Sequence, residues 1–225
     1  MQSRRNLCVL AGCVFESKVM PMTASVAPTP PAVSEEDRLR ADLYNFLGLI
    51  LAGPPDELLL AQTAGLSGDD TELGQAITRL AECAGTTKPA QAEKEFNALF
   101  IGLGRGELLP YASFYLTGFL HEKPLSVLRN DLSARRIERA PNVYEPEDNI
   151  ATLMEVMGGL IVGRFSDPAT LDDQKTFFNR HVAPWAGHFF TDLEGAKSAM
   201  LYSAVGSVGK AFIEIEREAF RLTSA

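Results

Sequence analysis

Little in this sequence suits covalent or metal chemistry. Three cysteines, Cys8, Cys13 and Cys83, leave an odd count and form no CxxC pair. That argues against a disulfide framework and a cysteine-bound zinc, and makes a reducing compartment the default. Three histidines, His121, His181 and His188, are too few and too scattered for a zincin-type motif. Ser113 has no GxSxG elbow around it and Cys83 has no histidine near it in sequence, so no nucleophile stands out. Positive charge is short as well. A net charge of −8 argues against non-specific nucleic-acid binding, which runs on clustered Lys and Arg, and favours a basic protein or peptide as partner. No apolar run reaches the length of a membrane span, so no stable membrane insertion is expected.

What the chain does have is helical periodicity. Residues 1–33 read as a flexible or mis-started leader: Arg4-Arg5 before a short apolar stretch and Leu10-Ala11-Gly12-Cys13 imitate an export signal, Met20 and Met22 offer later starts, and Pro21, Pro28, Pro30 and Pro31 preclude regular structure. Folding is expected over 34–225 as one all-α globular bundle of about eight to ten helices. Ser34 and the acids after it cap a helix carrying Leu39, Leu43, Phe46, Leu47, Ile50 and Leu51 until Gly53-Pro54-Pro55 stops it. Shorter helices start at Pro55-Asp56-Glu57, Asp69-Asp70 and Pro89. Gly102, Gly104 and Gly106 follow a helix rather than a strand and match neither the dinucleotide nor the P-loop pattern, so they read as a flexible turn.

Further helices are expected from Pro124 to about Arg139, from Ile150, from Asp167-Pro168 to a break at Pro184, and from about Gly195 to Leu222. The one opening at Ile150 carries Leu153, Met154, Met157, Leu160 and Ile161 together with Gly158, Gly159 and Gly163. Glycine costs a helix about 1 kcal/mol per residue, so these imply close approach of a neighbour and a central position.

Two stretches invite a functional reading. Tyr144-Glu145-Pro146-Glu147-Asp148-Asn149-Ile150 joins a fixed proline to carboxylates at a helix entry, which is either a well-capped helix or a recognition loop for a cationic partner. Leu108 to Leu116 is aromatic-rich and reads as a loop with one helical turn, in which Tyr111 and Tyr115 offer apolar area with a polar tip. Arg129, Arg135, Arg136 and Arg139 read as a solvated basic face.

Three segments in order carry a resemblance. They are Phe96-Asn97-Ala98-Leu99-Phe100 followed by Pro110-Tyr111-Ala112-Ser113-Phe114-Tyr115-Leu116, then Glu145-Pro146-Glu147-Asp148-Asn149-Ile150, then Phe177-Phe178-Asn179-Arg180-His181-Val182-Ala183-Pro184-Trp185. Over about residues 34 to 222 the chain resembles the TorD/DmsD/NarJ family of redox-enzyme maturation chaperones. The resemblance implies a cytoplasmic helical chaperone that binds the twin-arginine signal peptide and the body of an apo-molybdoenzyme until its molybdopterin cofactor is loaded. It implies no catalysis and no cofactor or metal of its own.

The implied peptide-binding set is Phe96, Leu99, Phe100, Pro110, Tyr111, Ser113, Tyr115, Glu145, Glu147, Asp148 and Asn149, with the acidic and aromatic loops facing each other across one cleft. Asp148→Ala or Tyr111→Ala should then weaken peptide binding with little loss of fold. Asn149 stands where the family commonly has histidine, which removes a titratable ring but keeps a hydrogen-bonding side chain. A structural subunit of an oxidoreductase and a metal-dependent helical enzyme stay open as alternatives, as do monomer and domain-swapped dimer.

Overall fold

The computed structural model describes residues 33–102, 104–141 and 143–223, and the expected leader falls almost wholly outside them. Ten α-helices and two π-helical turns occur among the described residues, with no strand. The first three helices, α1 (Glu35–Ala52), α2 (Glu57–Ala64) and α3 (Glu72–Thr86), each begin at a polar side chain that accepts an otherwise unpartnered amide: Ser34 from Asp37, Asp56 from Leu59 and Thr71 from Gly74. Helix α4 (Pro89–Phe96) continues into a π-helical turn, Asn97–Ile101. Beyond it the glycine segment folds back: Leu108 donates its amide to the Leu99 carbonyl at 2.8 Å, and Gly102 takes φ of 61°.

Helix α5 (Ala112–Thr117) leads to α6 (Lys123–Ala134), which ends five residues before the expected Arg139. Arg136 there adopts a φ of 58°, and Ile137 donates back to the Leu132 carbonyl at 2.9 Å, which keeps Ile137 in the core without helix. Helix α7 (Ile150–Val162) is central, as its composition predicts. Its Ile150, Leu153, Met154, Val156, Met157, Leu160 and Ile161 are all buried. Each is worth about 1.5–3 kcal/mol of burial, which outweighs about 1 kcal/mol for each interior glycine.

The three glycines of this segment do different jobs. A Cβ at Gly158 would lie 2.6 Å from Asn45 Oδ1 of α1, so Gly158 lets those two helices touch. Gly159 makes room for the Phe165 ring, and Gly163 ends the helix in the left-handed region at φ 75°. Helix α8 (Leu171–Phe177) runs into the second π-helical turn, Phe178–Val182, before α9 (Ala186–Glu194) and α10 (Leu201–Leu222). Helices α9 and α10 cross closely at Gly206, where a Cβ would meet the Glu194 amide nitrogen at 2.5 Å.

The last helix begins six residues later than Gly195. Its first amides have a remote acceptor: Glu95 of α4 receives Met200 and Tyr202 at 2.7 Å and Leu201 at 3.3 Å. Glu107 takes the amides of Lys197 and Ser198 at 2.7 and 3.0 Å, holding 197–198 as a turn.

Candidate functional site

The aromatic and acidic stretches are joined to one another by their backbones. Tyr111 and Asn149 form an isolated antiparallel bridge, the Ile150 amide donates to the Pro110 carbonyl at 2.9 Å, and the Ala112 amide donates to the Asp148 carbonyl at 2.9 Å. They lie side by side as one surface, not across a cleft. This pairing starts two helices at once, α5 from Tyr111 and α7 from Asn149.

Each expected site residue then has a distinct place. Asp148 is 1% exposed, and one of its carboxylate oxygens accepts the Ser113 amide at 2.8 Å and the Ser113 hydroxyl at 2.6 Å. It caps α5 from another loop and is almost wholly buried, which argues against the expectation that it can be removed with little loss of fold. Asn149 caps α7 through Oδ1, which accepts the Ala151 amide at 2.9 Å, and its Nδ2 donates to Glu145 at 3.0 Å. A neutral amide does both jobs at once. Glu145 is exposed and also accepts from the Tyr111 hydroxyl; no cationic side chain pairs with its carboxylate among the described residues. Burial, and then Glu145, push the Tyr111 hydroxyl pKa up, so it stays a proton donor.

Glu147 is already neutralised. Arg129 places Nε at 2.9 Å and Nη2 at 2.8 Å from its Oε2, and Arg139 lies 3.9 Å from Oε1. Partial burial pushes the Glu147 carboxyl up, but the Arg129 hydrogen bond, with Arg139 behind it, leaves it below its ordinary value. The arginines read as a solvated face therefore include two that turn onto the acidic loop. Tyr115, one turn after Tyr111, donates to the exposed Asp192 at 3.0 Å and packs its ring 5.3 Å from Trp185. Asp192 carried no signal in the sequence, because it lies 77 residues from Tyr115.

The apolar half of the site differs from expectation. Leu99 is fully buried, Phe96 is 9% exposed, and Phe96 and Phe100 stack with Tyr202 at 5.9 and 5.6 Å, so they belong to the core around α4 and α10. Pro110 is buried and supplies the carbonyl of the loop pairing. The cavity bordering Asp148 measures about 290 Å³ and is walled instead by Ala112, Leu116, Pro124, Val127, Leu128 and Leu153, with Lys123, Arg180 and His181 at its polar side. Leu116 of this wall is exposed, as are Phe119 and Leu120, which follow α5 in the chain.

His181 Nε2 lies 2.7 Å from Asp131 Oδ2, which also pairs with Arg180 at 3.1 Å. Burial lowers the His181 pKa; Asp131 opposes this, and Arg180 and Arg135 add to it. Among the described residues no group of three or more His, Cys, Asp or Glu side chains is placed to hold a metal ion, and no helix is long and apolar enough to cross a membrane.

Comparison with known proteins agrees on one kind of relative. A family model described as the nitrate reductase delta subunit matches residues 67–191. The chaperone protein TorD of Vibrio cholerae serotype O1 is 30% identical over 167 residues, covering 70% of this chain and 74% of that protein. The TorD of Aliivibrio fischeri is 26% identical over 198 residues, covering 79% and 92%. A crystal structure from Archaeoglobus fulgidus assigned as a redox enzyme maturation protein superposes with a TM-score of 0.51 at 20% identity, over 78% of this chain and 94% of that one; it supports the fold.

Proposed function

The chain belongs to the TorD/NarJ family, that of the nitrate reductase delta subunit model and the TorD chaperones, and from that membership we propose that it is a molybdoenzyme chaperone that binds its client's twin-arginine signal peptide in the cytoplasm before cofactor insertion. The observation that carries the peptide reading is the pair of exposed carboxylates held by tyrosines one turn apart. Glu145 sits on Tyr111 and Asp192 on Tyr115, and the residues next to these tyrosines in the chain, Ala112 and Leu116, line an apolar cavity.

Two adjacent guanidiniums need acceptor-only groups at short spacing, and the apolar segment that follows them in such a signal needs a dry wall. Tyr111 and Tyr115 fix where the carboxylates stand, and Leu116, Val127 and Leu153 supply the wall. Of the residues expected to bind peptide, Tyr111, Tyr115 and Glu145 contact the client in this reading. Pro110, Ser113, Asp148 and Asn149 hold the loops, and Phe96, Leu99 and Phe100 hold the core beneath.

The test is the affinity of a twin-arginine peptide for the Glu145→Gln/Asp192→Asn double variant. Each lost exposed pair is worth up to about 1 kcal/mol, or roughly fivefold in Kd, and raised salt should mimic the loss in the unaltered protein. Equal affinity of variant and parent, or equal binding of a peptide with both arginines replaced by glutamine, would overturn the reading. The description of the family model as a delta subunit favours one alternative, a resident subunit of the enzyme; that would appear as permanent stoichiometric co-purification with the mature, cofactor-loaded complex.

A further inference from the structure

Glu147 differs from its neighbours in the acidic loop because the chain's own arginines already occupy it. Arg129 from α6 directs two guanidinium nitrogens at one carboxylate oxygen, at 2.8 and 2.9 Å. Arg139 approaches the other oxygen at 3.9 Å and donates to the Glu145 carbonyl at 3.3 Å. Two guanidiniums thus converge on the loop to which two foreign guanidiniums are proposed to come.

Their setting suits exchange. The Arg129 and Arg139 side chains are 52% and 39% exposed, whereas Glu147 is 14% exposed, so the cations can swing into water while the carboxylate stays in place. Ion pairs exposed to this degree hold only weakly. The core keeps α6 in place through Leu125, Leu128 and Leu132 and does not depend on either arginine.

We propose that Arg129 and Arg139 form an internal latch that neutralises the acidic loop in the free protein, and that a docking cationic segment displaces them from Glu147. This rests on the peptide-binding reading above and adds regulation to it. The latch makes the empty site unattractive to stray single cations, because an incoming group has to outcompete an arginine already tethered nearby. It also lowers the apparent affinity for the true client by the fraction of time it is closed.

The experiment measures binding of a twin-arginine peptide and its Gln-Gln counterpart to the full chain, to Arg129→Gln/Arg139→Gln, and to the same double variant carrying Glu147→Gln, with melting temperature as the fold control. The latch predicts that the double variant binds the twin-arginine peptide about fivefold more tightly, and that Glu147→Gln abolishes the gain. Unchanged or weaker binding overturns the latch. So does a gain that survives Glu147→Gln, since that is the effect of removing positive charge in general. If the double variant does not fold, Arg129→Lys/Arg139→Lys keeps the charge but loses the planar fork and is expected to give a smaller gain of the same sign; no gain there overturns the latch as well. Should the parent prefer the twin-arginine peptide and lose that preference in Glu145→Gln/Asp192→Asn while no arginine variant gains affinity, the latch fails and the binding reading stands. If no protein distinguishes the two peptides, both fall.

Discussion

At the scale of single residues, the site depends on side chains whose work is mostly inward. Asp148 holds the Ser113 amide and hydroxyl in a position with almost no solvent. Asp148→Ala should therefore cost stability through those two stranded groups, at about 1–3 kcal/mol each, and lower the urea midpoint clearly; a variant as stable as the parent would show that water replaces the carboxylate. From the sequence, Asp148 looked like an exposed acid at a helix entry. Its partner lies 35 residues away, and a local pattern carries no information about a bond of that range. His181 supplies a pH test. Burial lowers its pKa in the folded state below the ordinary 6.5, with Asp131 opposing and Arg180 and Arg135 reinforcing the shift. The unfolded chain then takes up the proton first. The contribution of neutral His181 is complete above about 6.5 and is lost as pH falls through the depressed folded value. Thermal melts from pH 7.5 to 5 should slope downward with acid in the parent and less steeply in His181→Gln; identical slopes would refute the assignment.

Among the elements, helices were legible and their ends were not. Periodicity placed α1, α7 and α10 because a buried stripe recurs at every turn whatever lies beside it. Ends were readable only where the stop signal is local, as with Ser34 before α1 or Pro54 and Pro55 after it. The start of α10 is set by Glu95, a residue over a hundred positions earlier, and the end of α6 by the backbone turn at Arg136. Glu95 accepts three consecutive amides, so it performs from a distance what a capping side chain performs in sequence. Glu95→Ala should cost about 1–2 kcal/mol, in the range of a lost helix cap, with faster amide exchange at 200–202 and the helix centre unaffected. Glu95→Gln, which keeps one acceptor oxygen, should fall between. Exchange unchanged at 200–202 would mean that α10 starts without Glu95.

For the molecule as a whole, the sequence disclosed an all-helical body around a central α7 but not the contacts that close it, since these join residues far apart in the chain. The site is one case, built by pairing 110–112 with 148–150. The buried ion pair is another. Arg40 of α1 meets Glu216 of α10 through two hydrogen bonds of 2.8 Å, Tyr44 adds its hydroxyl to the same carboxylate at 3.0 Å, and Gln174 of α8 lies 3.4 Å from the guanidinium. The Arg40 pKa is raised: burial alone would lower it, and Glu216, helped by Tyr44 and Asp37, more than compensates. Three helices thus share one knot, and Asp37 of α1 pairs with the same guanidinium at 2.8 Å; the buried Glu216 depends on Arg40 for its counter-charge, while Arg40 keeps a second carboxylate at the edge. Glu216→Gln removes the buried counter-charge and leaves the guanidinium only the half-exposed Asp37, so it should cost about 3 kcal/mol, the low end for breaking a buried pair. Replacing both groups, as Arg40→Met/Glu216→Leu, removes the charges together and should lie within about 1–2 kcal/mol of the parent, because an apolar pair of similar volume carries no desolvation cost. Urea denaturation of the three proteins decides this: a double variant as unstable as the single one would mean that the knot contributes through its own strength, and not merely through the penalty of being broken.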